Sequence, residues 1–174
     1  MHLFCHNCGS KYSELTWPRN CNNCKNSCWK NPIPVVVMIV PIKKLYKGNP
    51  PTHTIDSVLS VRRGIEPDVG KLAMPSGYVD DLEDWREAAI RELDEETGLA
   101  FKQSDLSLFD VVQSKNKKHM LIFCNLPPIY MPDQICNNEV QELVDTKPDD
   151  LVWDSHIKMA KRYLYRYRYR NYGT

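Results

Sequence analysis

Residues 77–99 read "GYVDDLEDWREAAIRELDEETGL". Nine of these positions carry Glu or Asp, seven of them between 83 and 96, with Glu95 and Glu96 adjacent. Asp84, followed three residues later by Glu87, resembles a capping box with Asp in place of Ser or Thr, which predicts a helix starting at Trp85. Gly98 is placed to close it as the residue just past its end. Ala88, Ala89, Ile90 and Leu93 suit the helix between them, with no Pro or Gly interrupting. Within it Glu92, Glu95 and Glu96 stand at i, i+3 and i+4 and share one face. Like charges at that spacing repel, and the helix dipole disfavours negative charge at the C-terminal end, where Glu95 and Glu96 sit. Such crowding costs stability unless cations bind, and hard divalent ions such as Mg²⁺ or Mn²⁺ prefer carboxylate oxygens. The helix is expected to be a metal cradle, although on the carboxylates alone an exposed acidic face accounts for it equally well.

Working outward, "PVVVMIV" (34–40) is a β-branched apolar run after a Pro-rich linker, expected as a central strand covered on both faces. "DSVLSVRR" (56–63) follows as a strand after the turn-rich "KGNPPTH" (47–53). "KLAMPSGYV" (71–79) is expected to break at Pro75 and Gly77 into a strand end and a tight loop. "DLSLFDVVQS" (105–114) and "KHMLIFCNL" (118–126) read as strands joined by "KNK", and "NEVQELVDT" (138–146) as a weaker one. "DSHIKMAKRYLYRYRY" (154–169) places Ile157, Ala160, Tyr163, Leu164 and Tyr167 at helical spacing, with Asp154 or Ser155 as cap. Strands flanking one strong helix and one terminal helix predict an α/β domain with a mixed sheet between helices.

The 174 residues suffice for one domain with a real core and a small satellite. A formal net charge of +1 argues neither for nor against nucleic acid. No apolar run approaches a membrane span, and "MHLFCHNCGS" lacks a signal-peptide apolar region, so the expected compartment is cytoplasmic. Seven cysteines fit a reducing compartment if free or metal-bound, and their odd number argues against a complete disulfide framework. Cys5-x2-Cys8 and, 12 residues on, Cys21-x2-Cys24 form the pattern of a structural zinc site. A segment of about thirty residues cannot bury enough apolar surface to fold alone, and Zn²⁺ would supply the missing free energy. Four thiolates leave no open coordination position, so the role expected is scaffold before recognition. Cys28 and His6 are alternative ligands, while Cys124 in "MLIFCNL" reads as a core thiol. The expected division is a zinc ribbon over 1–31 and an α/β body over 32–174.

The terminal "KRYLYRYRYRNY" (161–172) admits two readings. Arg162, Arg166 and Arg170 recur every four residues and could track a phosphate backbone while tyrosines stack bases, making an RNA- or protein-binding module with the ribbon. The reading preferred is an amphipathic helix whose tyrosines pack on the body and whose arginines face water.

Gly77, five residues, Glu83, seven residues, then Arg91-Glu92-Leu93-Asp94-Glu95-Glu96-Thr97-Gly98-Leu99 matches every specified position of the Nudix box. With average residue usage, a chance match at one starting position is on the order of 10⁻⁹. The chain thus resembles the Nudix hydrolases, and its cysteines and "WKNPIPVVVMIV" (29–40) resemble the zinc-ribbon subgroup. The resemblance implies an α/β/α sandwich that hydrolyses a nucleoside diphosphate linked to another group, using Mg²⁺ or Mn²⁺. It implies that Glu92, Glu95 and Glu96 bind metal and that one of them can receive the water's proton. Arg91 would pair with Glu83 and orient the cluster, and the Gly77 carbonyl would complete the coordination. A late-loop carboxylate often joins as base or ligand, for which Glu139 is the candidate and Glu142 stands behind it. One departure is Pro75-Ser76-Gly77 where the family has Pro-Gly-Gly, a change accommodated if the serine keeps a negative φ. NADH pyrophosphatases of this subgroup, which also remove NAD caps from RNA, carry a Ser-Gln-Pro-Trp stretch, and the corresponding "LFDVVQSKNKKHM" (108–120) lacks it. An ADP-ribose-like substrate is therefore favoured, with NADH or RNA-cap cleavage, other dinucleotides and nucleoside triphosphates as alternatives. The resemblance also allows a homodimer.

Overall fold

Asp84 closes the predicted capping box: its carboxylate accepts from the Arg86 amide, and the Glu87 carboxylate accepts from the Asp84 amide, both at 2.9 Å. Helix α1 runs Trp85–Thr97 and ends where Gly98 adopts a φ of 68°, so that its amide reaches the Asp94 carbonyl. The computed structural model describes residues 3–48 and 52–172. Asn49, Pro50 and Pro51 of the turn expected at 47–53 lie outside the described residues, as do the side chains of Arg170 and Tyr172.

The chain divides into two units, residues 1–32 and 33–174. In the first, β1 (Arg19–Asn20) pairs antiparallel with β2 (Ser27–Cys28), and Cys5, Tyr12 and Cys21 are its buried centre.

In the second unit the strands are β3 (Ile33–Ile39), β4 (Lys44–Tyr46), β5 (Thr52–Thr54), β6 (Val58–Arg63), β7 (Leu72–Ala73), β8 (Ser76–Tyr78), β9 (Ser107–Gln113), β10 (His119–Asn125) and β11 (Val140–Thr146). The second helix, α2, spans Asp154–Tyr172. The mixed sheet has the order β8-β3-β10-β9, with β3 and β10 parallel and the outer pairs antiparallel. A separate antiparallel sheet has the order β11-β6-β7, and β4 and β5 form a hairpin that the turn-rich sequence concealed. The break expected within 71–79 falls at Met74-Pro75, and it hands the chain from one sheet to the other.

Successive residues of β3 serve different cores. Val36 and Met38, with Val40 just past the strand, pack with Ala88, Ala89 and Leu93 of α1, whereas Val37 and Ile39 pack with Met159, Ala160, Tyr163 and Leu164 of α2. The alternation of a strand thus becomes a layer on each face, as a continuous apolar run requires. Each fully buried side chain of this size contributes roughly 1.5–3 kcal/mol. Cys124 is one of them, and burial pushes its thiol up to about 12.

The terminal helix corrects one expectation. Tyr163 and Leu164 are buried and Tyr167 packs partly on the core, but Tyr165 and Tyr169 are exposed with ring centroids 4.7 Å apart. Arg162 does not simply face water: it donates to Asp110, and both Arg162 and Arg166 lie 5.3 Å over the Phe109 ring. A guanidinium has its own use for a ring face and a carboxylate on the neighbouring strand. No helix among the described residues is long and apolar enough to cross a membrane.

Candidate active site and metal centre

Gly77 stands on edge strand β8 opposite Val36, in the sheet that α1 covers. A Cβ built there would sit 1.8 Å from the Glu92 carboxyl carbon. Its φ is not positive, so close approach, and not backbone freedom, demands glycine. The Glu92 carboxylate rests directly against the chain at Gly77.

Arg91 is the hub of the acidic face. Its Nε and Nη2 donate to the two oxygens of Glu83, each at 3.0 Å, and Nη2 also donates to the Tyr78 carbonyl at 3.0 Å. Its Nη1 donates to Glu92 Oε1 at 2.8 Å and to Glu95 Oε2 at 3.1 Å. This bidentate fork holds the Glu83 carboxyl below its ordinary value and raises the guanidinium above its own. For Glu92 burial prevails over the arginine, and its carboxyl is raised.

Glu96 is not among the carboxylates that Arg91 contacts. It is 7% exposed, and one oxygen accepts from the Ser76 amide at 2.8 Å. Burial pushes its carboxyl up to about 8; the Ser76 hydrogen bond and the Arg63 charge oppose this, while the charges of Glu92 and Glu139 add to it. Ser76 keeps a negative φ, so the serine in place of glycine is accommodated and its amide is what the site uses.

Glu139 lines the same cleft, and its charge acts on both Glu92 and Glu96. Glu142 does not join them: it is not part of the cleft lining, and Arg62 Nε donates to it at 2.6 Å. A carboxylate buried without an ion pair among the described residues, beside other hard oxygen donors, fits Mg²⁺ or Mn²⁺. The glutamate oxygens are not drawn to a single point, since Arg91 Nη1 lies between Glu92 and Glu95.

The cysteines do converge. Among the described residues, the one set whose donor atoms all lie within 4.8 Å of one another is Cys5, Cys8, Cys21 and Cys24. The Sγ atoms of Cys5 and Cys24 are 3.7 Å apart and those of Cys8 and Cys21 3.6 Å, where Zn–S bonds of about 2.3 Å in a tetrahedron need about 3.8 Å. Each knuckle is closed by its own backbone, the Gly9 amide donating to the Cys5 carbonyl at 2.8 Å and the Lys25 amide to the Cys21 carbonyl at 2.9 Å. Hydrogen bonding from Ser10 brings the Cys8 thiol down to about 6, favouring the thiolate that a metal needs. The set fits Zn²⁺. Cys28 packs against it without belonging to it, and His6 pairs with Asn26 instead, so neither alternative ligand is used.

The cleft has a volume of about 1440 Å³ and joins the carboxylates to residues the sequence did not single out. Arg63 donates to the carbonyls of Pro67 and Ile65, and its guanidinium lies 5.0 Å over the Trp153 ring. Trp153 donates from Nε1 to Asp68 at 2.9 Å. Buried His156 accepts from the Met74 amide at Nδ1, and burial pushes it down to about 3, so the ring is neutral. Tyr78 and His119, with ring centroids 6.0 Å apart, also line the cleft. Arg63 had a signal, as the cation ending an apolar strand; Trp153 and His156, at the start of a helix, had none.

A family model described as the NUDIX domain matches residues 49–166. Among solved structures, a NUDIX hydrolase from Nitrosomonas europaea aligns over 98% of this chain and 94% of its own, at 20% identity and a TM-score of 0.64. The NUDIX domain of Shewanella oneidensis NrtR, solved with ADP ribose, covers 80% of this chain and 90% of its own, at 18% identity and a TM-score of 0.56. A Caenorhabditis elegans Ap4A hydrolase covers 77% and 98%, at 18% identity and a TM-score of 0.52. A search of curated proteins returns no match. At these identities the structures speak for the fold, and the family model speaks for more than half the chain. The chain belongs to the NUDIX domain family, and it is a pyrophosphohydrolase of that class.

Proposed function

We propose that this protein hydrolyses the pyrophosphate bond of a nucleoside diphosphate linked to another group, with ADP-ribose-like molecules as the preferred substrates. The observation that carries this reading is the large cleft that runs between a carboxylate cluster and the cationic and aromatic surface of Arg63 and Trp153. Its volume exceeds the common range for small-ligand pockets, about 300–1,000 Å³, leaving room for a substrate with two arms. The solved relative that holds ADP ribose supports the substrate class.

In this reading Glu92, Glu95, Glu96 and the Gly77 carbonyl hold Mg²⁺ or Mn²⁺. A divalent ion there stabilises charge developing on phosphoryl oxygens and lowers the pKa of bound water. The chain's own groups do the rest. Glu139 receives the proton of the attacking water. Arg91, gripped by Glu83, sets the positions of Glu92 and Glu95. Arg63, held by the main-chain carbonyls of Pro67 and Ile65, offers positive charge to a substrate phosphate. The zinc ribbon serves as scaffold. RNA is the less favoured substrate, because Arg162 is engaged by Asp110, which takes one member out of the basic stripe that a phosphate backbone would need.

The test is a product assay with ADP-ribose, NADH, diadenosine polyphosphates, nucleoside triphosphates and NAD-capped RNA, each with Mg²⁺ and Mn²⁺. ADP-ribose should yield AMP and ribose 5-phosphate at the highest kcat/KM. A higher value for NADH or capped RNA would replace the substrate assignment, and no turnover of any of the five would defeat the pyrophosphohydrolase reading.

A further inference from the structure

The stretch between β10 and β11 that brings Glu139 to the cleft has no regular structure of its own over residues 132–139. Three side chains hold it. Gln134 donates from Nε2 to the Leu143 carbonyl at 2.8 Å and accepts the Leu143 amide at 2.9 Å. Ile135 packs on the α1 core. Asn137 makes the bond pattern that matters here. Its Oδ1 accepts the amides of Glu139 and Val140, both at 2.8 Å, and its Nδ2 donates to the Glu95 carbonyl at 2.9 Å.

That carbonyl is one that the helix leaves over. The Gly98 amide turns back to Asp94, and the Leu99 amide goes to the Thr97 hydroxyl, so no helical amide takes the Glu95 oxygen. Asn137 fills the gap from outside. One side chain therefore joins the backbone of Glu95, in the turn that also carries Glu96, to the amide of Glu139. A second constraint presses from the other side. The Gly64 amide donates to the Glu139 carbonyl at 2.7 Å, and a Cβ at Gly64 would meet the Asn138 carbonyl oxygen at 2.7 Å and the Glu139 carbonyl carbon at 3.0 Å.

We infer that Asn137 is a positioning residue that locks the Glu139 carboxylate in register with the glutamates of α1, with Gly64, just past the end of β6, closing the same clamp. The inference rests on the proposed role of Glu139 as the base. Asn137 touches no substrate; it acts by fixing how two separately supplied sets of carboxylates stand relative to one another. A catalytic group displaced by about 1 Å can lose about 10²-fold in rate.

The test compares Asn137→Ala, Gly64→Ala, Glu139→Gln and the two double variants with Glu139→Gln, using the fastest of the five substrates above, expected to be ADP-ribose. Amide hydrogen exchange at residues 138–141 and thermal unfolding are read on the same samples. The expected result is a kcat loss of roughly ten- to a hundredfold in Asn137→Ala and in Gly64→Ala with KM within about twofold, and faster exchange confined to residues 138–141. In the Glu139→Gln background each should cost no further activity, because the group they position is already gone. A merely structural role would lower activity in that background as well. Wild-type turnover in Asn137→Ala and Gly64→Ala, or losses that add to that of Glu139→Gln, would overturn the inference while leaving Glu139 in place. Wild-type turnover in Glu139→Gln itself would instead defeat the role of Glu139, and the inference with it. Gly64→Ala presses on the Asn138–Glu139 backbone from the other side, so it tests the clamp without altering the Asn137 side chain, and the thermal unfolding read on each sample separates lost activity from lost folding.

Discussion

The carboxyl carbon of Glu92 occupies the space into which any side chain at position 77 would grow, 1.8 Å from an ideal Cβ. Gly77→Ala must therefore expel the carboxylate and with it the Arg91 contact at 2.8 Å. The expected outcome is a loss of about 10²-fold or more in kcat, with a change of only a few degrees in Tm, because the displaced group is the end of a flexible side chain. Steady-state kinetics and calorimetry on the purified variant check this. Undiminished turnover would show that Glu92 does not need its seat.

Burial holds Glu96 at about 8 against an ordinary 4.5, so between those values the folded, ion-free protein binds more protons than the unfolded chain. Stability then falls as pH rises through that window. Glu96→Gln removes the titration. In chelator-treated protein the wild-type Tm should decline from pH 5 to pH 8 and the variant's should not, with the variant ahead by roughly 1–4 kcal/mol at pH 8. Its kcat should fall by roughly 10²–10⁴. Parallel Tm curves for the two proteins would contradict the burial argument.

His156 carries the opposite sign. Its folded value of about 3 lies below the ordinary 6.5, so stability present above pH 6.5 drains away as pH drops toward 3. His156→Leu should flatten that acid limb, and at pH 8 it should cost about 1–3 kcal/mol by orphaning the Met74 amide. Urea titrations at pH 5 and pH 8 measure both effects.

Protein purified without added zinc should contain about one equivalent of Zn²⁺, and Cys21→Ser should lose it. Hydrogen exchange should then rise across residues 3–28 while the α/β unit keeps its protection. Less than roughly a tenth of an equivalent in folded, active protein would leave the four thiols without this role.

Truncation after Lys161 removes Tyr163 and Leu164 from the second core, at roughly 1.5–3 kcal/mol each. Turnover of ADP-ribose and of capped RNA should fall together, in step with the folded fraction. Arg162→Ala is the milder probe, worth about 0.5–1 kcal/mol because its pair with Asp110 is partly exposed. A loss confined to RNA in either variant would restore the nucleic-acid reading of the tail.

Helix α1 could be read from its caps, the strands from their apolar runs, and the zinc-type cluster from its cysteine spacing, because each depends on neighbours within a few turns of chain. What escaped the sequence depends on partners far apart. Glu139 and Glu142 look alike in "NEVQELV", and only the pairing of β11 with β6 gives Glu142 to Arg62 and leaves Glu139 to the cleft. Arg162 is expected in water because nothing local announces Asp110, which lies on strand β9, 52 positions earlier. Asn137 carries a turn-forming side chain, but its bond to Glu95 crosses 42 positions of sequence.

The parallel pairing of β3 with β10 has a kinetic consequence. Ile33 finds its partner, His119, 86 positions later, so on a growing chain the apolar run of β3 is made long before the strand that will cover its edge. Non-local pairings of this kind form slowly and expose aggregation-prone surface meanwhile. The N-terminal knuckles, whose backbone bonds span nine residues or fewer, can close while β3 still waits. Expression yield should therefore respond to synthesis rate and temperature through β3, even for variants whose finished structure is unchanged.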